Sequence, residues 1–245
     1  MSKVIVITGA GVGLGRALAR RFGADGDHVV LLGRTASKVE AVAAEIGERA
    51  MAVTCDVTSA DSVRAGFAAI AGRHPRIDVL INNAAIYEPF LVAEATDEQI
   101  LGSLTTNLAG PIFCARSAIA MMERGGHIIN VSSESVGMHF PMLVLYQSSK
   151  AGLERFSQAL YHELEPMGIR VSNVRAGQMF EEGKASPFKP EVGMRFAQAC
   201  MKAGLNLMER PISHVNSVTG MFRALVDLPP DVHVENVSLH AWKVN

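Results

Sequence analysis

The chain has 245 residues, a length that suits one α/β domain, and its composition shows no break that would mark a linker. Its 23 Lys and Arg residues nearly balance its 24 Asp and Glu residues, which argues against the basic surface of a protein that binds nucleic acid or an anionic membrane. We therefore expect a single domain over residues 1–245, with small molecules or copies of itself as partners.

Cysteine and histidine are too sparse to suggest a cross-linked or metal-bound fold. The 3 cysteines are widely spaced, and the 8 histidines show no ligand spacing, so we expect free thiols, a reducing compartment and no metal site. Three residues precede the first strand-like run, too few for a signal peptide, and polar residues interrupt the apolar stretch 104–122. These features predict no membrane span and a cytoplasmic location.

The first predicted unit is a buried strand, residues 4–7, followed by a glycine-rich turn and a helix. The glycines fall as Gly9-x-x-x-Gly13-x-Gly15, which differs from the G-x-G-x-x-G dinucleotide fingerprint. Without Cβ atoms, such a turn lets backbone N–H groups approach a pyrophosphate at the helix N-terminus. A glycine-rich turn without a ligand is the alternative. The residues predicted to contact a dinucleotide here are Gly9, Gly11, Val12, Gly13 and Leu14.

Two polar residues follow the next predicted strands. Arg34 lies about 20 residues beyond the glycine turn, where an NAD site has an acidic residue. Its planar, permanently charged guanidinium suits a 2′-phosphate and predicts NADP over NAD, with adenine stacking or a solvent-facing position as the alternative. Asp56, followed by Val57, ends the third strand at the edge where open α/β sheets bind ligands. An adenine contact and a plain turn role fit Asp56 equally well.

Amide side chains mark the next segment. Two asparagines and two alanines, residues 82–85, follow the fourth predicted strand and leave room for a cofactor to pass close by. Thr96 and Gln99 form a capping box, which predicts a helix that runs to about Met122. Asn107 lies inside this helix, where an asparagine is usually solvated or bonded to its own backbone, so by itself it indicates little.

The most informative stretch runs from the fifth predicted strand into a long helix over about 146–165. Tyr146 and Lys150 are four residues apart and share one helix face, so the ammonium can lie near the phenol. A nearby cation favours the phenolate and brings its pKa of ~10 towards the working range. Ser132 and Ser133 end the strand just before this helix. From these residues alone, an exposed helix with an unrelated Tyr and Lys remains the alternative.

Together these motifs resemble the single-domain short-chain dehydrogenases/reductases, from Lys3 to roughly Gly177. With strands and helices alternating along the chain, we expect a Rossmann-like doubly wound α/β fold with a seven-stranded, mostly parallel sheet. The resemblance implies catalytic roles for Asn107, Ser133, Tyr146 and Lys150. Ser133 is preferred over Ser132 because the family separates its Ser and Tyr by thirteen positions. The further cofactor contacts implied are Asp56, Val57, Asn83, Ala84, Gly177 and Met179, with Tyr146 and Lys150 themselves.

The resemblance implies an oxidoreductase that uses NADP(H) to interconvert a carbonyl and a secondary alcohol. Tyr146 would exchange a proton with the substrate oxygen, and Ser133 would hydrogen-bond that oxygen. Lys150 would lower the pKa of Tyr146 and hold the nicotinamide ribose, while Asn107 would steady a water that connects Lys150 to solvent. A non-catalytic dinucleotide-binding regulator and a related lyase or epimerase are the alternatives.

Beyond residue 174 the chain departs from the family pattern, because residues 175–181 read R-A-G-Q-M-F-E where the family has Pro-Gly and a later Thr. Residues 178–210 are rich in Phe and Met, which predicts a mobile lid over an apolar, fairly bulky substrate, with ordinary packing as the alternative. Glu134 and His139 are candidates to point into that pocket or to face solvent.

Two expectations concern the last segment and assembly. A final helix is predicted over 211–226 and a seventh strand over 233–239. The family resemblance implies a homodimer or homotetramer, joined through the helices that hold Asn107 and Tyr146. The small and apolar residues expected to allow close packing there are Ala109, Ile112, Ala115, Ala118 and Ile119, with packing against the protein's own sheet as the alternative that some of them must adopt.

Overall fold

The computed structural model describes residues 2–183 and 188–243, which fold around a sheet of seven parallel strands. The described residues contain nine strands, seven in this sheet and two in a separate pair. They are β1 (Val4–Thr8), β2 (His28–Gly33), β3 (Ala50–Thr54), β4 (Val79–Asn82), β5 (His127–Ser133), β6 (Arg170–Ala176), β7 (Met179–Phe180), β8 (Ser213–His214) and β9 (Asn236–Leu239). The large sheet has the order β3-β2-β1-β4-β5-β6-β9, while β7 and β8 pair separately. The predicted doubly wound sheet is confirmed, and all seven of its strands are parallel.

Helices cover both faces of this sheet. They are α1 (Gly13–Ala24), α2 (Ala36–Ile46), α3 (Ala60–Arg73), α4 (Asp97–Leu104), α5 (Gly110–Ile119), α6 (Val144–Leu164), α7 (Pro190–Lys202) and α8 (Thr219–Val226). Successive strand residues point to opposite faces, so Ile5 and Ile7 pack in one core with Phe222 of α8, and Val6 packs in another with Cys114 of α5. Because both faces are covered, the strands β1, β2 and β4 are largely apolar rather than alternating.

The strand order reverses between β1 and β4, since β1 pairs with both β2 and β4. Neighbouring crossover connections leave such a point on opposite faces of the sheet, which opens a crevice beyond the carboxyl ends of the strands. The glycine turn after β1, Asn83 after β4 and Ser133 at the end of β5 therefore lie at the same edge. This topology brings together residues that are far apart in sequence.

The helix predicted from Thr96 to about Met122 is interrupted. Its capping box forms as expected, with Gln99 N donating to Thr96 Oγ1 and Thr96 N to Gln99 Oε1. A π-helical turn, Thr105–Ala109, then separates α4 from α5. Pro111 has no N–H to donate to the carbonyl of Asn107, so the regular α-helical ladder cannot continue there.

The predicted helix over 211–226 was wrong in its first half. Residues Ser213–His214 form β8, which pairs with β7, and α8 begins only at Thr219. Pairing with a strand distant in sequence overrides the local helical pattern. The expected lid at 178–210 contains β7 and α7, and its residues 184–187 lie outside the described residues.

Two of the residues expected between subunits lie elsewhere. Ala115 and Ala118 are buried in the core against the sheet, whereas Ile112 is exposed. In the described ranges, no helix has the length and apolar character needed to cross a membrane.

Candidate active site

One cavity of about 870 Å³ at the carboxyl edge of the sheet gathers nearly all the predicted site residues. Its glycine-turn end is lined by Gly9, Gly11, Val12, Gly13, Leu14, Arg34, Asp56, Val57, Asn83 and Ala84. Its other end is lined by Ser133, Tyr146, Lys150, Gly177 and Met179. Asn107 is fully buried and does not reach the cavity wall. The structure therefore brings the predicted cofactor and catalytic residues together, with Asn107 behind them.

Close backbone contacts explain why the turn after β1 needs glycine. A Cβ on Gly15 would lie 2.4 Å from the carbonyl oxygen of Gly9, and Gly9 itself has a φ of +66°. Thr8 Oγ1 accepts hydrogen bonds from the backbone N–H groups of Asn83, at 3.0 Å, and Ala84, at 2.9 Å. These contacts join the end of β1 to the end of β4 and leave a narrow backbone-lined groove.

The far end of this groove carries positive charge. Arg34 and Lys38 are both exposed and both line the cavity, and within residues 2–183 and 188–243 neither side chain pairs with an acid. Asp56 lines the same end. Its Oδ1 accepts hydrogen bonds from two groups of Thr58, the backbone N–H at 3.0 Å and the side-chain hydroxyl at 2.8 Å. The turn role expected for Asp56 is thus present, and its place on the cavity wall keeps a ligand contact available.

At the other end, Tyr146 and Lys150 lie one turn apart on α6, as their spacing predicts. Burial raises the pKa of the Tyr146 phenol, and its hydrogen bond with Ser133 opposes this rise. Ser133 Oγ also accepts a bond from Ser135 N at 3.1 Å. Ser133 and Tyr146 thus form one polar centre in the cavity wall.

Lys150 is buried beneath this centre. Its Nζ donates to the carbonyl oxygen of Val131 at 2.7 Å and lies 6.0 Å from the centroid of the Tyr146 ring. Burial lowers the pKa of Lys150 to about 8. In this structure the pKa of Tyr146 responds to burial and to Ser133, so the expected lowering by Lys150 stays a prediction for the cofactor-bound enzyme.

Asn107 connects the active-site segments through its side chain. Its Oδ1 accepts from Ile86 N at 2.9 Å, and its Nδ2 donates to Ile86 O at 3.0 Å and Ser149 Oγ at 3.2 Å. These bonds fix the loop after β4 against α6, one residue before Lys150. The expected role of Asn107 in holding a water stays a prediction.

The choice between Ser132 and Ser133 follows from their partners. Ser132 Oγ donates to Glu154 Oε1 at 2.7 Å, and Glu154 forms a two-point ion pair with Arg175. This ion pair and the Ser132 bond lower the pKa of the Glu154 carboxyl against the opposing effect of burial, which is the largest single influence. Ser132 therefore joins β5 to α6, where Glu154 in turn pairs with Arg175 of β6, while Ser133 lines the cavity with Tyr146.

The end of the cavity beyond Tyr146 is lined by apolar and aromatic side chains. They are Tyr87, Phe140, Leu143, Phe188, Phe196 and Leu207. The Tyr87 ring meets the Tyr146 ring edge-on, with centroids 5.3 Å apart, and also contacts Phe196. Burial, followed by the neighbouring Tyr146 phenol, raises the pKa of the Tyr87 phenol. We call the six lining residues Tyr87, Phe140, Leu143, Phe188, Phe196 and Leu207 the aromatic pocket.

One of the two polar candidates for this region lies at the cavity. Glu134 lines its wall, forms an ion pair with Arg210 and accepts a bond from His240 Nδ1 at 2.9 Å. His139 is exposed and does not line the cavity. Glu134 therefore connects the end of β5 to the lid segment and to the C-terminal segment, and its charge is balanced by Arg210.

Comparison with known proteins agrees with this geometry. The chain matches the short chain dehydrogenase family over residues 3–185. It belongs to the short-chain dehydrogenase family. It is 34% identical over 183 residues to serine 3-dehydrogenase of Agrobacterium fabrum, covering 72% of each protein. It is 33% identical over 179 residues to galactitol 2-dehydrogenase of the same species, covering 72% of this chain and 70% of that protein.

The three-dimensional comparison extends over nearly the whole chain. A solved short-chain dehydrogenase from Streptomyces avermitilis matches with a TM-score of 0.83 at 26% identity, covering 97% of this chain and 88% of that one. The chain is accordingly an oxidoreductase that acts on CH–OH groups, as short-chain dehydrogenases do.

As a short-chain dehydrogenase, the chain needs a nicotinamide dinucleotide, and its cavity fits one. Gly9, Gly11 and Gly13 line the cavity and carry no Cβ, so a ligand can approach the backbone there. Among the described residues, the N-terminus of α1 has no side-chain cap from Val12 and no acid in its own first turn, which suits a pyrophosphate. Metal chemistry has no such support, because the described ranges contain no cluster of three His, Cys, Asp or Glu residues.

Sequence patterns did not single out three residues of this site. Lys38 lines the groove near Arg34, and Tyr87 packs against Tyr146. Glu181 approaches the glycine turn, with its Oε2 accepting from Gly13 N at 2.7 Å. Lys38 follows Arg34 by four residues, a spacing that could have indicated a second cation. For Tyr87 and Glu181 no local pattern indicates the contact.

Proposed function

We propose that the chain is an NADP(H)-dependent oxidoreductase that interconverts a carbonyl and a secondary alcohol in an apolar, fairly bulky substrate. One observation carries the proposal: Ser133, Tyr146 and Lys150 line one cavity that continues to the glycine turn on one side and to the aromatic pocket on the other. An acid-base group between a dinucleotide groove and an apolar pocket is what transfer of hydrogen to a carbonyl requires.

The protein groups would act on the substrate oxygen. When bound, the nicotinamide supplies or accepts the hydride. Tyr146 gives a proton to the carbonyl oxygen during reduction and takes it back from the alcohol during oxidation. Ser133 donates a hydrogen bond to the same oxygen as negative charge develops on it. Burial lowers the pKa of Lys150 to about 8, and its ammonium would stabilise the phenolate that forms when Tyr146 gives up its proton.

NADP(H) is proposed over NAD(H) because of the charge at the far end of the groove. Arg34 and Lys38 line it together, whereas the described acids nearby, such as Asp56, are engaged in a turn. An arginine fork and a lysine suit the doubly charged 2′-phosphate, which NAD(H) lacks.

The substrate class follows from the walls of the aromatic pocket. Flat and branched apolar side chains favour a ketone or alcohol with a bulky hydrocarbon portion. Glu134, a carboxylate at that end, is paired with Arg210, so its charge is balanced by a protein cation. The two relatives are named for polar hydroxyl compounds, which supports CH–OH chemistry, while the pocket walls support a less polar substrate.

We further propose a cytoplasmic homodimer or homotetramer. All three cysteines are free and buried, in keeping with a reducing compartment. Leu101 of α4, Ile112 of α5 and Val144 of α6 are exposed apolar residues on the helices that flank the site, and a second copy would cover them. Gel filtration with light scattering tests the assembly directly.

Oxidation of the reduced cofactor by a panel of carbonyl compounds tests the proposed reaction. Aromatic ketones, steroids, keto-acyl thioesters and sugars are each combined with NADPH and with NADH. For the wild type we expect loss of NADPH absorbance with an aromatic ketone or a steroid.

Arg34→Gln tests the cofactor preference. We expect the preference for NADPH over NADH to fall about 10- to 100-fold in this variant, because one charge-assisted contact is lost. Arg49→Gln, a change of the same kind far from the cavity, is the control. Equal use of NADH and NADPH by the wild type would contradict the cofactor proposal.

A further inference from the structure

The carboxylate of Glu181 lies where the dinucleotide pyrophosphate is expected. Its Oε2 accepts the backbone N–H of Gly13 at 2.7 Å, and its Oε1 accepts from Arg16 Nε at 2.9 Å and from Arg16 Nη2 at 2.6 Å. Its side chain is only 9% exposed. Gly13 is the first residue of α1 and belongs to the glycine turn. Its N–H group is therefore bonded to a side chain 168 residues away in sequence.

This contact supplies what α1 lacks locally. The N-cap residue, Val12, makes no side-chain hydrogen bond, and among the described residues of the first turn none is acidic. A helix that begins in this way leaves its first N–H groups and its positive end for an anion. In this structure the Glu181 carboxylate accepts one of these N–H groups, that of Gly13, while Arg16 holds its second oxygen.

The position of Glu181 is fixed by the small sheet. Glu181 follows β7 directly, and β7 pairs with β8 through the register Met179↔Ser213 and Phe180↔His214. Ser213 N also donates to the carbonyl oxygen of Gln178 at 3.1 Å. The segment before Glu181 is therefore held across the mouth of the groove, and Phe180 packs edge-on against His214.

We propose that Glu181 is a self-blocking residue that sets the affinity of the enzyme for its dinucleotide. A carboxylate and a pyrophosphate cannot share the N–H of Gly13, and their like charges repel in a poorly solvated groove. Binding of the dinucleotide therefore requires the Glu181 side chain to leave Gly13 and Arg16. The proposal rests on the dinucleotide site described above and adds to it a residue that opposes binding in the free enzyme.

Titrations of Glu181→Gln against Glu182→Gln test this assignment. Glu182 is the exposed neighbour, so its variant removes the same charge from the same segment without touching the turn. Ligands are NADPH and ADP-ribose, which contain the pyrophosphate, and adenosine 2′-monophosphate, which does not. We expect about tenfold tighter binding of the first two to Glu181→Gln, no change for adenosine 2′-monophosphate, and affinities within about twofold of wild type for Glu182→Gln.

Thermal unfolding of the free proteins gives a second readout. Because Glu181 caps α1, we expect Glu181→Gln to melt at a lower temperature than wild type while it binds NADPH more tightly. If Glu181 had a purely structural role, its replacement would lower both the melting temperature and the affinity for NADPH. Glu181→Ala cannot accept a hydrogen bond from the Gly13 N–H at all. It should likewise melt at a lower temperature and bind NADPH more tightly.

Three outcomes would overturn the proposal. They are unchanged or weaker NADPH binding in both Glu181 variants, an equal gain in Glu182→Gln, and a gain that extends to adenosine 2′-monophosphate. If no variant, wild type included, binds any dinucleotide, both this proposal and the proposed function fail. If wild type binds NADPH and turns over a carbonyl compound but the Glu181 variants bind no better, only the self-blocking role fails.

Discussion

The cofactor groove and the aromatic pocket are two ends of one cavity, yet they are built from different parts of the chain. The groove consists of turns that directly follow β1, β2, β3 and β4, and its walls are largely backbone. The aromatic pocket consists of side chains from segments far apart, including Tyr87 and Phe196. A backbone-built site depends on local sequence, whereas a side-chain-built site depends on how distant segments pack.

The two ends meet at Ser133, Tyr146 and Lys150. Tyr146 packs against Tyr87 on the pocket side, while Lys150 bonds the carbonyl of Val131 beneath the groove. If this division is correct, substitutions at the junction affect chemistry, those in the groove affect dinucleotide binding, and those in the pocket affect the substrate alone. Each of the following predictions tests one part of that division.

The largest effect is expected at the junction. Tyr146→Phe removes the proton that the substrate oxygen needs, so we expect kcat to fall by about 10²- to 10⁴-fold while the affinity for NADPH stays within a few-fold. Steady-state kinetics on a confirmed substrate, with a fluorescence titration of NADPH, measure both quantities.

Tyr161→Phe is the matched control for this change, because it removes a hydroxyl from the same helix, α6, at a site whose ring stacks on His233. It should leave kcat unchanged. Full turnover in Tyr146→Phe would mean that another group transfers the proton, and the assignment of the junction would be wrong.

Lys150 should make stability depend on pH in a particular direction. Burial lowers its pKa from 10.5 to about 8, so the unfolded chain binds this proton more tightly than the folded chain. Between these values folding releases a proton, and stability rises with pH. We expect the free energy of unfolding of wild type, relative to Lys150→Met, to increase by up to about 3 kcal/mol between about pH 7 and pH 10.

Urea unfolding of both proteins across this range measures the difference. Using the difference cancels the cysteines, whose pKa values burial raises and which therefore destabilise the fold as pH increases. If the difference decreases with pH, the buried ammonium is stabilised by a partner, and the phenol beside it would lie in a different electrostatic environment from the one described.

Within the groove, the glycine turn gives the sharpest test. Gly15→Ala adds a Cβ 2.4 Å from Gly9 O and 2.6 Å from Asn83 Nδ2, so the turn must shift. We expect a loss of about 1–3 kcal/mol in stability and about tenfold weaker NADPH binding. Gly72→Ala is the control, because that glycine lies within α3 and an added Cβ meets no described atom within 4 Å. It should raise stability by up to about 1 kcal/mol. Equal effects of the two changes would show that the turn is not tightly packed.

The contrast between the two ends also explains what the sequence could predict. Gly9, Gly13 and Gly15 signal a ligand through their own lack of Cβ atoms, and Tyr146 with Lys150 signals through a helical spacing. Each pattern is local, so it can be recognised in the sequence without knowledge of the tertiary structure. The seven-stranded, doubly wound sheet was likewise predicted from the alternation of strands and helices, together with the family resemblance.

Other features required contacts that no local pattern encodes. Glu181 reaches Gly13 across 168 positions, and Arg210 reaches Glu134 across 76. The π-helical turn at Asn107 depends on Pro111 within a helix that otherwise shows good capping and apolar spacing. Residues 213–214 became a strand because β7 was available as a partner. In each case tertiary packing overrode or supplemented a local preference.

The smallest effect is expected in the aromatic pocket. Tyr87→Phe keeps the ring that meets Tyr146 and Phe196 and removes only the hydroxyl, which makes no hydrogen bond in the part of the chain that the structure describes. We expect KM to rise by less than about tenfold for substrates with a polar group near the reacting carbon, and to stay unchanged for substrates with only hydrocarbon there. Tyr87→Ala also removes the ring packing and should raise KM for both classes. In both variants the NADPH affinity should equal that of wild type; if the NADPH affinity falls as KM rises, the two ends of the cavity are coupled through Tyr146 and cannot be treated as separate sites.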